Sequence, residues 1–242
     1  VEPAHKSGCE VYPALQDRVQ TVPTRCDYVR TEPLESHWGQ DYAGIAFYRA
    51  AAAAYWSRGA DAIYLPWFKW PVGAEQRQIL SEIHDPDLLR EKTKHYVAPR
   101  NDQEFFADSG HGYAASDVGF SPQVPIELTT GLDTPGQTVR LFIADGADYE
   151  GALLRVRLMG STTYDSLTIS LNGEALPSDT SRRTEHGGYF YAWLEYPLAP
   201  GQLHEGPNEI GVALHARPEN LTAHVVLQGV EIIVTYPEHR TW

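Results

Sequence analysis

Basic residues are few in this sequence, and long apolar runs are missing. The 242 residues include 19 lysines and arginines against 32 aspartates and glutamates, which gives a formal net charge of −13. Nucleic acids and anionic membranes both favour a basic surface, so neither is expected as a partner. No run of 18 apolar residues occurs, so no membrane-spanning helix is expected either. Neutral polymers such as polysaccharides are compatible with the acidic charge.

Cysteine is scarce, and several familiar motifs are missing. Cys9 and Cys26 would pair in an oxidising compartment and stay reduced in the cytosol, so both states are left open. The glycine-rich signature of dinucleotide sites, the Walker motif and Gly-x-Ser-x-Gly are all missing, which argues against dinucleotide, ATP and esterase chemistry. The ten histidines form no grouping typical of zinc sites. No cofactor is therefore predicted, apart from the structural calcium considered below.

The first region, residues 1–95, alternates short apolar segments with helical ones. Five consecutive alanines, the best helix formers, begin at Ala50. Asp85 followed by Pro86 is a typical start for a further short helix. Strand, helix, strand, helix is the βα repeat of a parallel sheet. The predicted elements are strands at 9–15 and 60–68 and helices at 41–58 and 74–83.

The second region, residues 122–242, has the period-2 alternation of half-buried strands. Asn172-Gly173 is the strongest short hairpin signal in the chain. Residues 96–121 have no periodicity and are predicted to be a linker or a long surface loop. Short antiparallel strands at this spacing indicate a β-sandwich or jelly roll, so the chain is expected to be a mixed α+β protein. The predicted strands are 139–143, 153–159, 167–171, 189–198, 208–216 and 225–236.

Two motifs of the second region carry a family resemblance. They are Leu171-Asn172-Gly173 and the step Leu203-His204-Glu205-Gly206-Pro207-Asn208 into a long strand. With them, the region resembles the galactose-binding-like modules found in many glycoside hydrolases. The resemblance implies an antiparallel sandwich, and it covers both sugar-binding and purely structural modules.

The first region resembles the last two βα units of bacterial glycoside-hydrolase-like barrels. The resemblance rests on CEVYPAL, FYRAAAAAYWSRGADAIYLPWF and EQRQILSEIHDPDLL. It implies that Tyr12 and the segment from Trp67 to Trp70 face the sugar at the strand ends. The earlier barrel strands, where the catalytic carboxylates are expected, are not in this sequence. We therefore expect either a missing barrel half or self-association. The location is left open, with a secreted or periplasmic one favoured over the cytoplasm.

Three carboxylates are candidates for catalysis. Glycoside hydrolysis needs two carboxyl groups across the scissile bond. Glu32, Glu35 and Asp41 lie in one polar stretch near the predicted sugar-facing rim. The alternative is that all three are solvated loop carboxylates, with Asp41 serving as an N-cap of the alanine-rich helix.

Aromatic clusters are the candidates for sugar binding, because flat rings pack against the apolar faces of pyranoses. The first cluster is His37 and Trp38; the second is Trp67 and Trp70 with Lys69 between them, which equally suits a seam between the two regions.

A third aromatic cluster lies on a predicted strand. Tyr189, Tyr191 and Trp193 share one face of it, and the opposite face, with Leu194 and Tyr196, is the better core face. We therefore expect an exposed ribbon of rings that binds a ligand or docks against the first region.

One acidic loop is a candidate for calcium. Asp145, Asp148 and Glu150 could supply oxygen ligands, although plain surface acids explain them equally. The resemblances favour the C-terminal portion of a glycoside hydrolase acting on or binding oligo- or polysaccharide. The alternative is a non-catalytic carbohydrate-binding or structural module.

Overall fold

The structure is a computed structural model of the 242-residue chain. It describes residues 1–16, 18–19, 41–42, 44–68, 71–98, 123–131, 136–146, 148–186 and 191–237.

The N-terminal part contains the predicted strand–helix–strand unit in a shortened form. Strand β1 (Ala14–Gln16) pairs in parallel with β4 (Tyr64–Trp67), and helix α2 (Ile45–Ser57) lies between them in sequence. The elements are α1 (Glu2–Lys6), β1 (Ala14–Gln16), β2 (Arg18–Val19), β3 (Asp41–Tyr42), α2 (Ile45–Ser57), β4 (Tyr64–Trp67), α3 (Ala74–Glu82) and α4 (Pro86–Leu89). The short β2 and β3 pair with each other in antiparallel fashion.

Local sequence explains where these helices lie. The alanine run buries small side chains on α2 (Ala52 and Ala54 are fully buried), which lets the helix approach its neighbours closely. Asp85 caps α4 as predicted, because its Oδ1 accepts a hydrogen bond of 2.8 Å from the Asp87 amide. Apolar side chains of β1, α2, α3 and α4 form one hydrophobic cluster with Val97.

The remaining strands form two larger antiparallel sheets. They are β5 (Lys94–Val97), β6 (Ile126–Leu128), β7 (Gln137–Ile143), β8 (Gly151–Met159), β9 (Ser166–Leu171), β10 (Glu174–Ala175), β11 (Arg182–His186), β12 (Tyr191–Leu198), β13 (Gly206–Ala216) and β14 (Val225–Thr235). The four-stranded sheet has the order β10-β9-β13-β7. The six-stranded sheet has the order β11-β12-β8-β14-β5, and β6 pairs with the other end of β14.

Alternating side chains of both sheets form one core. On β7, Val139, Leu141 and Ile143 are buried while the residues between them are not, as period-2 alternation predicts. Leu154, Val156 and Leu158 of β8 and residues of β13 and β14 belong to the same cluster. Burial of this apolar surface is the main driving force for folding of this part.

The predicted Asn-Gly hairpin is confirmed. Asn172 has φ 52° and Gly173 has φ 86°, and the flanking strands β9 and β10 pair directly across them. Positive φ at both positions is the geometry of a type I′ turn, which asparagine and glycine tolerate best.

The chain is thus a β-rich mixed fold, with four α-helices in the part that the structure describes. Strand β5 crosses the division expected near residue 95, because it follows α4 directly and pairs with β14 at Glu231 to Val234. None of the described helices has the length and apolar character needed to cross a membrane.

Candidate functional site

A cleft of about 800 Å³ lies where the helices meet one end of the six-stranded sheet. Helix α2 contributes Trp56, and Arg90 and Glu91 follow α4. The loops at the sheet end contribute Asp148 and Glu205. The complete lining is Ala53, Trp56, Ser57, Pro86, Leu89, Arg90, Glu91, Lys94, Ala144, Asp145, Gly146, Asp148, Glu205, Tyr236 and Pro237.

A buried carboxylate with three side-chain donors lies on the wall of this cleft. Lys94 Nζ donates to Asp145 Oδ1 at 2.6 Å, and Tyr236 donates its hydroxyl to the same oxygen at 2.7 Å. Tyr96 donates its hydroxyl to Asp145 Oδ2 at 2.7 Å and accepts a bond of 3.2 Å from the Ala144 amide. We call Lys94, Tyr96, Asp145 and Tyr236 the Asp145 cluster.

The fold assembles the cluster from three separate segments. Lys94 and Tyr96 are two residues apart on β5, so they point to the same side of the strand. Asp145 comes two residues after β7, and Tyr236 comes directly after β14. Lys94 Nζ also donates to the Lys92 carbonyl at 3.1 Å, so the cluster fastens the end of the α4 region to the sheet.

Burial controls the protonation of this cluster. Desolvation lowers the pKa of Lys94, although the nearby Asp145 carboxylate opposes that shift. Desolvation raises the pKa of Tyr96 well above its ordinary value, and the Asp145 charge adds to the rise. The same two causes raise the pKa of Tyr236. Both tyrosines therefore remain protonated donors at neutral pH.

The carboxylates of the cleft differ in whether they already accept hydrogen bonds from the protein, and this difference decides which of them can bind a ligand. Both Asp145 oxygens already accept hydrogen bonds from buried donors, so this carboxylate is a fixed part of the wall rather than a mobile base. Asp148 and Glu205 are exposed at the cleft and offer carboxylate oxygens to a ligand. The Trp56 indole is held in place by a 2.8 Å hydrogen bond from Nε1 to the Ile83 carbonyl.

A second charged cluster covers the outer face of the six-stranded sheet. Arg155 on β8 donates from Nε to Glu195 Oε1 at 3.1 Å and from Nη1 to Glu231 Oε2 at 3.0 Å. His95 Nε2 lies 3.0 Å from the same Glu231 oxygen, and its ring stacks on Phe47 of α2 with centroids 4.2 Å apart. This network ties α2 to the sheet.

The prediction of an exposed ribbon of rings is wrong for Tyr191 and Trp193, which are both buried. Tyr191 is 7% exposed and Trp193 is 9% exposed. The Arg157 guanidinium lies 3.7 Å from the Tyr191 ring centroid, and that of Arg155 lies 4.2 Å from the Trp193 centroid. The long arginine side chains of the neighbouring strand cover the rings, which period-2 alternation alone does not reveal. The predicted core face is confirmed, since Leu194 and Tyr196 belong to the main core.

Tyr12 is exposed, as its predicted role requires. It is 54% exposed and donates its hydroxyl to Glu10, and Tyr64 on the adjacent strand is 57% exposed. Ala14, which lies opposite Tyr64, is exposed as well, so the residues that the structure describes leave this side of the β1–β4 pair uncovered.

Most other predicted site residues are outside the described part of the chain. Asp41 lies on β3 and Trp67 on β4, but the placement of their side chains is not described. Glu32, Glu35, His37, Trp38, Lys69, Trp70 and Tyr189 lie outside the described residues. The same holds for Cys26, whereas Cys9 is an exposed free cysteine. The catalytic roles of Glu32, Glu35 and Asp41 therefore stay predictions.

The predicted calcium loop remains a prediction as well. Asp145 points into its own cluster, with Lys94 Nζ occupying the place where a cation would neutralise it. Among the described residues, no group of three or more histidine, cysteine, aspartate or glutamate side chains is placed to hold a metal ion.

Sequence reasoning missed most of the cleft. Lys94, Tyr96 and Tyr236 were not singled out, since none of them belongs to a motif and each lies far from Asp145 in the sequence. The alternation Lys94-His95-Tyr96-Val97 was the one available signal, and it indicates a strand rather than a site. Comparison with protein-family models finds no match, and comparison with curated proteins finds no relative.

Proposed function

We propose that this chain is a carbohydrate-binding protein whose cleft beside the Asp145 cluster holds an oligosaccharide. In this proposal the two antiparallel sheets are a β-sandwich similar to galactose-binding-like modules. The β1–α2–β4 unit is then the end of a glycoside-hydrolase-like barrel. The observation that carries the proposal is the cleft itself, because ligand sites are concave and combine aromatic walls with a few polar groups.

The composition of the cleft favours a neutral polyhydroxylated ligand. Lys94 and Asp145 neutralise each other within the wall, and Arg90 forms a salt bridge of 3.1 Å with Asp87. Asp148 and Glu205 remain as acceptors for sugar hydroxyl groups. An anionic ligand would be repelled by these carboxylates, whereas sugar hydroxyls donate to them.

The Trp56 and Tyr236 side chains supply the aromatic part of the lining. Pyranoses have apolar C–H faces, and aromatic side chains provide large rigid surfaces for such contacts. The hydrogen bonds that hold Trp56 Nε1 and the Tyr236 hydroxyl fix both side chains before a ligand arrives. Such preorganisation lowers the entropic cost of binding.

A titration of neutral oligosaccharides by calorimetry, with products measured in the same sample, tests the proposal. We expect saturable binding that Glu205→Gln and Asp148→Asn each weaken about tenfold, the value of a hydrogen bond to a charged group. Glu209→Gln is the matched control, because Glu209 is a half-exposed carboxylate on β13 that pairs with Arg140 outside the cleft. Product release would extend the proposal to glycoside hydrolysis. Failure of every oligosaccharide to bind, or equal binding by the cleft variants, would overturn it.

Assembly is a second candidate function, favoured by the uncovered side of the β1–β4 pair. Parallel sheets are almost always covered on both faces, yet Tyr12 and Tyr64 are more than half exposed here. A second copy of this chain would cover them. Light scattering at micromolar concentration should then report a dimer that Tyr12→Ser with Tyr64→Ser converts to a monomer. A monomeric unmodified chain would contradict this candidate.

A further inference from the structure

Tyr164 is the most exposed large hydrophobic residue in the described part of the chain. Its side chain is 79% exposed, and it lies in the loop of residues 160–165 that connects β8 to β9. We call these residues the Tyr164 loop. An exposed ring on a mobile loop would not by itself indicate a binding site. The hydrogen bonds and ion pairs that hold this loop therefore decide whether the ring can serve as one.

A buried carboxylate holds the loop from inside. The Asp165 side chain is fully buried, and its Oδ2 accepts a hydrogen bond of 2.6 Å from the Thr162 amide. The Tyr164 amide in turn donates to Thr162 Oγ1 at 3.2 Å. Arg217 Nε lies 3.4 Å from Asp165 Oδ1 and neutralises its charge.

Two arginines bind the backbone of the loop. Arg183 on β11 donates from Nη2 to the Ser161 carbonyl at 2.9 Å and to its hydroxyl at 3.2 Å. Arg217, in the connection from β13 to β14, donates from Nη2 to the Gly160 carbonyl at 2.7 Å. Two segments distant in sequence therefore converge on the six residues of the loop.

The first residue of the loop is sterically constrained as well. Gly160 has φ +72°, and a Cβ atom there would lie 2.3 Å from the His224 carbonyl oxygen. Only glycine fits this position without moving the β14 entrance. The loop is thus held in one conformation, and the Tyr164 ring is presented to solvent at little further entropic cost.

The charged groups that contact the loop are paired, since Arg183 also binds Glu185 Oε1 at 2.8 Å. Asp165 and Arg217 form a buried pair, and the loop residues that remain accessible, Ser161 to Thr163, carry hydroxyl groups. A rigid ring flanked by hydroxyl groups suits a ligand with an apolar face and neutral polar edges. A pyranose unit has this chemistry.

The Tyr164 loop and the cleft lie at opposite ends of β8. The strand begins at Gly151, three residues after the cleft residue Asp148, and ends at Met159, directly before the loop. The nine residues of the strand are joined by eight steps of about 3.4 Å, so its two ends are about 27 Å apart. A short oligosaccharide in the cleft cannot reach the ring, whereas a polysaccharide can.

We propose that the Tyr164 ring is a second contact site for polysaccharide, separate from the cleft. This proposal rests on the proposed carbohydrate-binding function. Two linked contacts on one polymer raise its apparent affinity well above that of either contact alone, because the second contact forms at high effective concentration. Short ligands gain nothing from the second site.

The test compares a soluble polysaccharide with the short oligosaccharide of the same repeat, using the whole chain. Tyr164→Ala should weaken polysaccharide binding about tenfold or more and leave oligosaccharide binding unchanged. Tyr164→Phe keeps the ring and should bind polysaccharide like the unmodified chain. Leu80→Ala, which removes another exposed apolar side chain, is the control for nonspecific adhesion. Thermal unfolding of Tyr164→Ala should be unchanged, since the ring is exposed.

The possible outcomes separate the two proposals. Equal polysaccharide binding by the unmodified chain and Tyr164→Ala, with oligosaccharide still bound, overturns the second site and leaves the cleft standing. Polysaccharide binding that depends on Tyr164 without any oligosaccharide binding overturns the cleft and supports the loop. No binding of either ligand overturns both.

Discussion

Replacement of Lys94 by methionine tests whether the Asp145 cluster fastens the helical part to the sheet. Lys94 and Asp145 side chains are 2% and 1% exposed and lie 2.6 Å apart. Methionine has nearly the same length and fills the space, but it removes the positive charge. The Asp145 carboxylate would then be buried with two tyrosine hydroxyls and no cation.

The expected cost is set by that uncompensated charge. Breaking a buried ion pair by removing one partner costs about 3 to 5 kcal/mol. Domains of this kind are stable by about 5 to 15 kcal/mol in total, so the variant should fold but with much of its stability lost. Asp145→Asn should cost a similar amount, because it leaves the Lys94 ammonium group unpaired. The double variant should cost clearly less than the sum.

Urea unfolding followed by circular dichroism measures these differences. With a slope of about 3 kcal/mol per molar urea, the Lys94→Met midpoint should fall by about 1 to 1.7 M. The exposed pair Arg140–Glu209, with side chains 57% and 49% exposed, is the matched control. Arg140→Met should cost no more than about 1 kcal/mol. The double-mutant cycle at the buried pair should give a coupling of about 1.5 to 3 kcal/mol.

Additive effects in this cycle would refute the reasoning. So would a Lys94→Met midpoint equal to that of Arg140→Met, because then the buried pair would stabilise the fold no more than a surface pair does.

Three further predictions concern pH and local structure. The pKa values of Tyr96 and Tyr236 are raised in the folded chain, so the native state holds more protons than the unfolded state above pH 10. Stability should therefore fall with rising pH there, by up to about 1.4 kcal/mol per pH unit for each tyrosine, and Tyr96→Phe with Tyr236→Phe should show a shallower fall in urea titrations at pH 10 to 12. The lowered pKa of Lys94 makes stability rise with pH below pH 10.5, and it does not change the pH dependence of stability above that value. Gly160→Ala should lower the free energy of unfolding by about 2 kcal/mol or more, since its Cβ meets the His224 carbonyl; an unchanged melting temperature would contradict the loop geometry. Asp85→Ala should cost about 1 kcal/mol through loss of the α4 cap, while Asp87→Ala, which removes a neighbouring exposed carboxylate, should cost less.

Local signals in the sequence predicted the local parts of the fold correctly. The Asn172-Gly173 turn and the Asp85 cap were both identified, because their conformations depend on residues adjacent in the chain. Period-2 alternation predicted β7 and β8 as strands. Burial alternates along β7, whereas the buried Arg157 interrupts the alternation on β8. Strands β5 and β11 were missed. Both are short and rich in polar residues. The partner of β5 is the distant β14, whereas β11 pairs with the next strand, β12.

The sites depend on contacts that only the tertiary structure creates. Lys94, Asp145 and Tyr236 are separated by 51 and 91 residues, and no spacing in the sequence indicates that they meet. Period-2 alternation divides the β12 residues into two faces, but it does not say that Arg155 and Arg157 of β8 cover Trp193 and Tyr191. The sequence by itself therefore determined six strands of the second region, the Asn172-Gly173 turn and the Asp85 cap, whose energies depend on near neighbours. The pairing of distant strands decided which polar groups are buried together, and with it where a ligand can bind.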